Sequence, residues 1–370
     1  MRIYLLAPNY CWHTEDLKEL DSFSDELNYS FISDTPPFLS REFYKKTFLN
    51  NIFSYEFIQR LWRLILCLPW SIYIRIKLLN NEPVHCHGLF SLFLADLANI
   101  SNSRIIFTPQ GSDILVLPDK NNIIRIFLSK KLYKLAFITA DSNILLNKVL
   151  EISPKIDKKK LKLIQNGIPF SIIEDLIKKD KTKIRIIDIC WIRGTSEIYQ
   201  FKYFLELLKH ISIKTSLNLK ITIIDAFGSE FIPKKIFNYK NIDISLLPRL
   251  DSKSFLKCLQ KSKIVVSIPR SDSSPRSVYE AISLGCKPFL SNLECFEWLP
   301  NSVKSKFLFS TFNLQKDSKI IIDALQNFDK QINQNEILSK DSYFYKSLDY
   351  ANIASAYLKI FQRVKKLSMK

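Results

Sequence analysis

The segment from Val266 to Trp298 constrains the fold more than any other part of the chain. The apolar run Lys263–Ile268 predicts a buried strand, and Ser274 followed by Pro275 predicts the cap and first position of a helix. Gly285 predicts the end of that helix, and the apolar run after it predicts a second strand. A helix that begins directly after a strand directs its free backbone N–H groups toward the carboxyl edge of the sheet, where they favour a phosphate or diphosphate.

Two acidic residues flank this predicted helix start. Asp272 and Glu280 are separated by seven residues, and the motif continues as A-I-S-L-G-C-K-P. The arrangement resembles the E-x7-E signature of retaining glycosyltransferases with the GT-B fold, in the GT4-like family that builds bacterial surface polysaccharides. Asp272 stands where that family more often has glutamate. A plain strand–helix–strand unit with solvated acids is the alternative interpretation.

The resemblance implies a role for each part of the segment. Glu280 would hold the ribose of a nucleotide sugar and Asp272 would lie near the donor sugar, so both are candidate catalytic residues. The backbone amides from Ser274 to Ser277 would stabilise the departing diphosphate. We assign no protein nucleophile, because retention in this family is thought to proceed by attack on the same face of the sugar.

A further donor-binding position is expected after the predicted strand Ile184–Trp191. Arg193 and Gly194 follow that run, and an arginine there is well placed to bind a diphosphate through its fork of N–H donors. The family usually has a lysine five residues further on, where this chain has Ile198. Lys202 is the next lysine along the chain, and it completes the candidate donor-binding set.

Two predicted strand ends in the first half of the chain also carry polar side chains. His87 ends the run P-V-H-C-H, and the loop T-P-Q-G-S-D follows the next strand, so both reach the same edge of the sheet. They resemble the family's H-x-H and T-x-H-G-x-D elements, with Gln110 in place of the usual histidine. His87 and Asp113 are therefore candidate catalytic residues, with a buried core histidine as the alternative for His87. Asn9, Gln110 and Gly111 are candidate acceptor-side residues.

The length of the chain predicts two domains, because 370 residues exceed one typical hydrophobic core. The resemblance implies an α/β protein with the GT-B fold: two Rossmann-like, doubly wound domains that face a cleft, and a C-terminal helix that crosses back to the first domain. We predict an acceptor-side domain over 1–168, a nucleotide-sugar-binding domain over 169–345 and the crossover helix over 346–370. That helix is predicted from apolar residues at alternating spacings of three and four: Tyr350, Ile353, Tyr357, Ile360, Val364 and Leu367.

The charge of the chain predicts an anionic partner. Lysine and arginine number 54 against 36 acidic residues, which gives a formal net charge of +18. Residues 41–77 interleave cations with aromatic and aliphatic side chains, a pattern suited to an anionic membrane surface. A pair of core-packing helices with a solvated face is the alternative. No nucleic acid is expected as a partner, because the lysines are scattered and no nucleic-acid-binding motif is found.

Composition further favours a cytoplasmic protein without a resident cofactor. The seven cysteines form no C-x-x-C pair and lie mostly within apolar runs, as reduced core thiols do. The sequence holds no clear acidic metal cluster, so we expect no metal ion and no cofactor besides the nucleotide-sugar donor, which is a substrate. The longest apolar window, residues 61–74, is too short to span a bilayer. A peripheral position on the inner face of the cell membrane is a further expectation.

The resemblance therefore predicts a retaining glycosyltransferase. It would move a sugar from a nucleoside-diphosphate sugar to a lipid-linked, lipopolysaccharide or capsule saccharide. One alternative is a GT-B nucleotide-sugar epimerase or phosphorylase, although the chain has only four histidines to serve as acid or base groups. Another is a non-catalytic basic protein that binds membrane or nucleic acid on a decayed transferase scaffold.

Overall fold

The structure is a computed structural model that describes residues 2–7, 28–34, 67–78, 81–179, 184–225, 239–328 and 338–368. It divides into two compact units. The first comprises Met1–Asn166 and Tyr350–Lys370, and the second comprises Gly167–Asp349. Each unit contains one six-stranded sheet.

The sheet of the first unit has parallel strands. They are β1 Arg2–Ala7, β2 Asn28–Ser33, β3 Val84–His87, β4 Ile105–Thr108, β5 Phe137–Ala140 and β6 Leu161–Leu163. Their spatial order is β2-β1-β3-β4-β5-β6, so the order reverses between β1 and β3. The carboxyl ends of the two strands at such a reversal border the crevice in which open α/β sheets bind ligands.

Helices that precede and follow these strands cover one face of the first sheet. They are α1 over residues 67–77, α2 Leu89–Leu97, α3 Gly111–Leu115, α4 Leu117–Lys120, α5 Asn122–Lys131 and α6 Asn143–Ile152. Ile74 and Leu92 from these helices are buried in one core cluster with Leu6 of β1. Successive strand residues point to opposite faces, so Ile3 and Leu5 require cover on the other side of the sheet.

The sheet of the second unit is built in the same way. Its strands are β7 Ile187–Trp191, β8 Leu219–Ile224, β9 Ile242–Leu247, β10 Ser262–Ser267, β11 Lys287–Leu290 and β12 Leu308–Phe309. They pair in parallel in the order β12-β11-β10-β7-β8-β9. The reversal of strand order therefore falls between β7 and β10, two strands that are adjacent in the sheet.

The helices of the second unit pack around this sheet. They are α7 Phe170–Lys179, α8 Phe201–Lys214, α9 Ser252–Gln260, α10 Arg276–Ser283, α11 Asn301–Lys304, α12 Leu314–Gln326 and α13 Tyr343–Leu348. α8 and α12 share a core cluster with the strands, in which Trp191, Phe204 and Ile321 are fully buried. α9 contacts both α7 and α10. The sheet is therefore covered by helices, as a parallel sheet requires.

The helix after β10 begins one residue later than the sequence predicts. Pro275 occupies the cap position in place of Ser274, and α10 starts at Arg276. The helix ends where the sequence predicts. Gly285 has φ of +80°, a backbone conformation that residues other than glycine rarely adopt. The N–H of the next residue, Cys286, donates to the carbonyl oxygen of residue 281 at 2.9 Å, which completes a Schellman motif.

The final helix, α14 Tyr350–Ser368, covers the second face of the first sheet. It packs on Ile3 and Leu5 through a stripe of buried side chains: Tyr350, Ile353, Tyr357, Ile360, Phe361 and Val364. Lys365 Nζ also lies 3.1 Å from Glu82 Oε1. The predicted return of this helix to the first half of the chain is confirmed. Leu367 was wrongly included in the apolar stripe, because its side chain is 49% exposed.

We expect Phe361→Ala to destabilise the protein by about 3–5 kcal/mol, because it removes a fully buried ring and leaves a cavity between α14 and β1. Lys359→Ala, at an exposed position on the same helix, should change stability by less than about 0.5 kcal/mol. The free energy of unfolding in urea measures both. Equal values for the two variants would contradict the docking of α14.

Candidate functional site

The reversal of strand order in the second unit brings two predicted site residues into contact. Arg193 lies two residues after β7, and Asp272 lies in the loop after β10. Nη2 of Arg193 is 2.6 Å from Oδ2 of Asp272, and the two side chains are only 14% and 17% exposed. This ion pair occupies the carboxyl edge of the sheet at the point where α/β sheets bind ligands.

The guanidinium of Arg193 is held from further directions. Its Nε donates to Ser267 Oγ at 2.7 Å, and its central carbon lies 5.8 Å from the centre of the Tyr199 ring. Burial raises the pKa of Tyr199, and the neighbouring Arg193 opposes that rise. Asp272, by contrast, sits on a loop, where its Oδ1 accepts a hydrogen bond from Ser273 N at 2.9 Å. The arginine is therefore the more firmly fixed partner of the pair.

Two hydrogen bonds fasten the loop after β7 to the loop after β10. Gln200 Nε2 donates to Ile268 O, and Arg270 N donates to Ile198 O, both at 2.8 Å. Gln200 has φ of +58°, a left-handed conformation that non-glycine residues adopt rarely. Ile198, at the position expected from the resemblance to hold a lysine, thus contributes a backbone carbonyl oxygen that accepts the hydrogen bond from Arg270 N.

The second predicted acid is held by a residue that sequence reasoning missed. Glu280 is nearly buried, and its Oε1 accepts a hydrogen bond from Arg276 Nε at 2.9 Å. Arg276 is the first residue of α10, so the pair is one helical turn apart. The spacing of four residues was a usable signal for this contact. Ser267 and Tyr199 carried no such signal, because only the fold brings them to Arg193.

The remaining donor-side candidates differ in their placement. Gly194 and Ser274 are buried, and Ser277 is half-buried in the first turn of α10. Lys202 is exposed in the first turn of α8. The structure therefore brings together Arg193, Asp272 and the start of α10, whereas it leaves Lys202 on the surface. The roles implied for all these residues stay predictions.

The reversal of strand order in the first unit lies at the end of β3. His87 is buried there, and Gly88 after it has φ of +94°. Asp113 Oδ2 accepts hydrogen bonds from Leu89 N at 2.8 Å and from Gln110 N at 3.1 Å, and thereby caps the starts of two helices. Burial raises the pKa of Asp113, and these two backbone hydrogen bonds oppose the rise. Asp113 thus has a structural role, and its predicted catalytic role stays a prediction.

Gly111 is the first residue of α3, and Gln110 is its cap. Gln110 and Asp113 lie beside Gly88, where an added Cβ would be 3.5 Å from the Asp113 carboxylate and 3.7 Å from the Gln110 side chain. The side chains of Gln110 and Asp113 at the start of α3 therefore pack against Gly88 at the start of α2. Asn9, the remaining acceptor-side candidate, lies outside the described residues.

A buried histidine next to this turn escaped the sequence prediction. His85 Nε2 lies 2.7 Å from Thr108 Oγ1, and the ring contacts Tyr357 of α14 in a tilted arrangement and Phe361 of α14 edge-on. Complete burial lowers the pKa of His85 to about 3, so the ring is neutral in the folded protein near neutral pH. Among the described residues its Nδ1 has no hydrogen-bond partner.

The C-terminal end of the predicted membrane segment is helix α1. Ile74 and Leu78 are buried against the core, as the core-packing interpretation expects. The opposite side exposes three aliphatic residues at spacings of four, Leu68, Ile72 and Ile76, each about 60% exposed. The cations Arg75 and Lys77 are exposed next to them. Residues 41–66 of the segment lie outside the described residues.

The described ranges contain neither a candidate metal cluster nor a candidate membrane-spanning helix. No group of three or more His, Cys, Asp or Glu side chains there is arranged to hold a metal ion. None of the helices described is long and apolar enough to cross a membrane.

Comparisons with known proteins identify the fold. No family model and no curated protein matches the sequence. Among solved structures, a glycosyltransferase from Rickettsia africae is similar over 98% of both chains, with 15% identity and a TM-score of 0.65. HepE from Anabaena, in complex with UDP-glucose, covers 98% of this chain and 99% of its own with 12% identity and a TM-score of 0.64. Sucrose-phosphate synthase from Thermosynechococcus elongatus is similar over 98% of both chains, with 8% identity and a TM-score of 0.68.

This chain has the GT-B fold. The two parallel six-stranded sheets with flanking helices agree with that assignment. At identities of 8–15% the likeness concerns the fold, so the activity of this chain has to be inferred from its own site.

We expect the stability of the protein to depend on pH through His85. Its pKa is about 3 when folded against an ordinary value of 6.5, so the unfolded chain binds a proton that the folded chain does not. The contribution is fully present above about pH 6.5 and is lost by up to about 1.4 kcal/mol for each pH unit below it.

Urea unfolding at about pH 7.5 and about pH 5 measures this loss, which should be roughly 2 kcal/mol by pH 5. His85→Gln should remove most of the difference, because glutamine does not titrate. His210→Gln, at a half-buried position in α8, is the matched control and should retain it. An unchanged pH dependence in His85→Gln would contradict the assignment.

Proposed function

We propose that the protein is a retaining glycosyltransferase that uses a nucleoside-diphosphate sugar as its donor. The observation that carries the proposal is the contact between Arg193 and Asp272 at the strand reversal, directly before the start of α10. A transferase must stabilise a departing diphosphate and orient the sugar that leaves it. A fixed guanidinium and a helix start supply positive charge for the diphosphate. The acids beside them supply carboxylate oxygens that accept hydrogen bonds from sugar hydroxyls.

Each residue has a distinct task in this reaction. Arg193, fixed by Ser267, would bind the diphosphate as negative charge develops on it. Asp272 would accept hydrogen bonds from the donor sugar. Glu280, oriented by Arg276, would accept them from the ribose. Because a cation and the helix start neutralise the diphosphate, the proposal requires no metal ion.

The donor and acceptor classes are inferred from separate observations. HepE is described in complex with UDP-glucose, and we therefore place UDP-sugars first among the donors to test. For the acceptor we propose a lipid-linked or lipopolysaccharide saccharide at the inner face of the cell membrane. The exposed aliphatic ridge of α1, with Arg75 and Lys77 beside it, supports contact with such a surface.

The test of the donor is the slow release of nucleotide from a panel of UDP-, GDP- and CDP-sugars by the purified protein. Release from one nucleotide class, with the sugar freed as its original anomer, would support a retaining transferase. A new epimer of the intact donor would instead support an epimerase. No release and no thermal shift with any donor would contradict the enzymatic proposal.

We expect Glu280→Gln to reduce donor turnover by at least about a hundredfold, because the amide keeps the size of the carboxylate but loses its charge at the ribose. Glu297→Gln is a control at an exposed glutamate of the same unit and should retain turnover. Thermal unfolding should show that both variants are folded. Full turnover in folded Glu280→Gln would remove this residue from the site.

We expect the double variant Ile72→Ser and Ile76→Ser to bind vesicles of phosphatidylglycerol at least about tenfold more weakly, because each isoleucine gains up to about 2 kcal/mol on leaving water. Vesicle sedimentation measures the change. Ile213→Ser, which alters an isoleucine that is 75% exposed in the second unit, is the control. Equal binding by all three proteins would contradict a membrane role for α1.

A further inference from the structure

The opposite charges of Arg193 and Asp272 neutralise each other at the proposed diphosphate position. Their contact is a close ion pair of 2.6 Å between two side chains that are each less than a fifth exposed. A diphosphate that approaches Arg193 therefore meets a cation whose Nη2 already donates to a carboxylate. It must also come close to the negative charge of that carboxylate. The pair consequently opposes binding of the nucleotide to this arginine.

The two partners differ in their freedom to give way. Neither the hydrogen bond of Arg193 to Ser267 nor its ring contact with Tyr199 involves Asp272. Asp272 lies in the irregular loop 268–275, between the end of β10 and the start of α10. Its other carboxylate oxygen bonds only to the adjacent backbone N–H of Ser273 among the contacts described for it. Hydrogen bonds hold this loop at Ile268 and Arg270, so movement of the part that follows Arg270 would release Nη2 and leave the contacts of the guanidinium with Ser267 and Tyr199 in place.

We propose that Asp272 is a displaceable counter-ion whose return to Arg193 drives release of the nucleoside diphosphate. In the donor complex the diphosphate takes the place of Asp272 on Nη2, and the freed carboxylate turns to the donor sugar. Once the sugar has left, Asp272 loses that partner and competes with the diphosphate for Arg193. This inference rests on the proposed function, and it assigns to Asp272 a role in product release in addition to sugar orientation.

The mechanism predicts that loss of the Asp272 charge increases the affinity for nucleotide. Most substitutions of a site residue weaken nucleotide binding, whereas Asp272→Asn should strengthen the binding of UDP and of inorganic pyrophosphate. Asparagine keeps the size of the side chain and the acceptor for Ser273 N, but it removes the charge that competes for Arg193. We expect both ligands to bind about tenfold more tightly, which corresponds to about 1.4 kcal/mol, and UDP to dissociate more slowly.

A matched control is available near the amino end of β7, the strand that Arg193 follows. Asp188, the second residue of β7, forms an ion pair of 2.7 Å with Lys263, and its side chain is 14% exposed. Asp188→Asn therefore removes one negative charge from a similarly buried ion pair, but at the amino edge of the sheet. It should leave UDP binding within about twofold of the wild type. Asp272→Glu, which retains the charge, should also stay close to the wild-type affinity.

Isothermal titration of UDP and pyrophosphate into the four proteins decides the question. Tighter binding in Asp272→Asn alone supports the inference. Equal or weaker binding in folded Asp272→Asn, or equal tightening in Asp188→Asn, would overturn it. If Asp272→Asn does not fold, Asp272→Ser replaces it with the same expected sign.

Failure of the inference and failure of the proposed function give different results. A wild-type protein that binds neither UDP, GDP nor CDP contradicts the proposed function itself. If the wild-type protein binds one of these nucleotides, and Asp272→Asn releases that nucleotide no more slowly than the wild type does, only the counter-ion mechanism is contradicted. The measurement on the wild-type protein therefore precedes the comparison of variants.

Discussion

Parallel strand pairing is the constraint on which the rest of the structure depends. A parallel sheet has both faces covered by helices, and the carboxyl ends of all its strands lie at the same edge. The strand order reverses once in each described sheet, and open α/β sheets bind their ligands at the carboxyl edge beside such a reversal. Arg193 and Asp272 lie in the loops beside the reversal of the second unit, and His87 ends the strand beside the reversal of the first.

In the site of the second unit, charged side chains at the carboxyl edge of the sheet are paired with side chains of opposite charge. Two cations and two acids occupy it as the pairs Arg193–Asp272 and Arg276–Glu280. At these largely buried positions an unpaired charge would be poorly solvated, so pairing offsets part of the free-energy cost of burying it. A ligand that carries its own charge must then exchange with one partner of a pair. In the proposed mechanism, Asp272 on the loop after β10 is the partner that gives way.

The first unit depends on a different arrangement, in which the end of the chain completes the core. α14 covers Ile3 and Leu5 and places Tyr357 and Phe361 beside His85. The buried face therefore contains a histidine that stays neutral. The stability of this unit is consequently tied to pH and to the last helix, although that helix is far from β1 in sequence.

The sequence by itself determined the elements that have a strong local signal. The run from β10 through α10 to β11 has apolar strands, a proline at the helix start and a glycine at its end, and the structure confirms these elements within a residue or two. α14 was found from its apolar stripe in the same way. β2 and β12 were not predicted, because one lies at a sheet edge with mixed exposure and the other has two residues.

Only the tertiary structure decided which side chains meet. Local patterns identified Arg193 and Asp272 separately, but the two residues are 79 positions apart in the sequence, and their contact depends on the adjacency of β7 and β10. The capping role of Asp113 and the burial of His85 depend in the same way on neighbouring strands and on α14. Spacing along the chain reports contacts within one helix or turn, whereas contacts between strand ends follow from the strand order, which the local sequence does not encode.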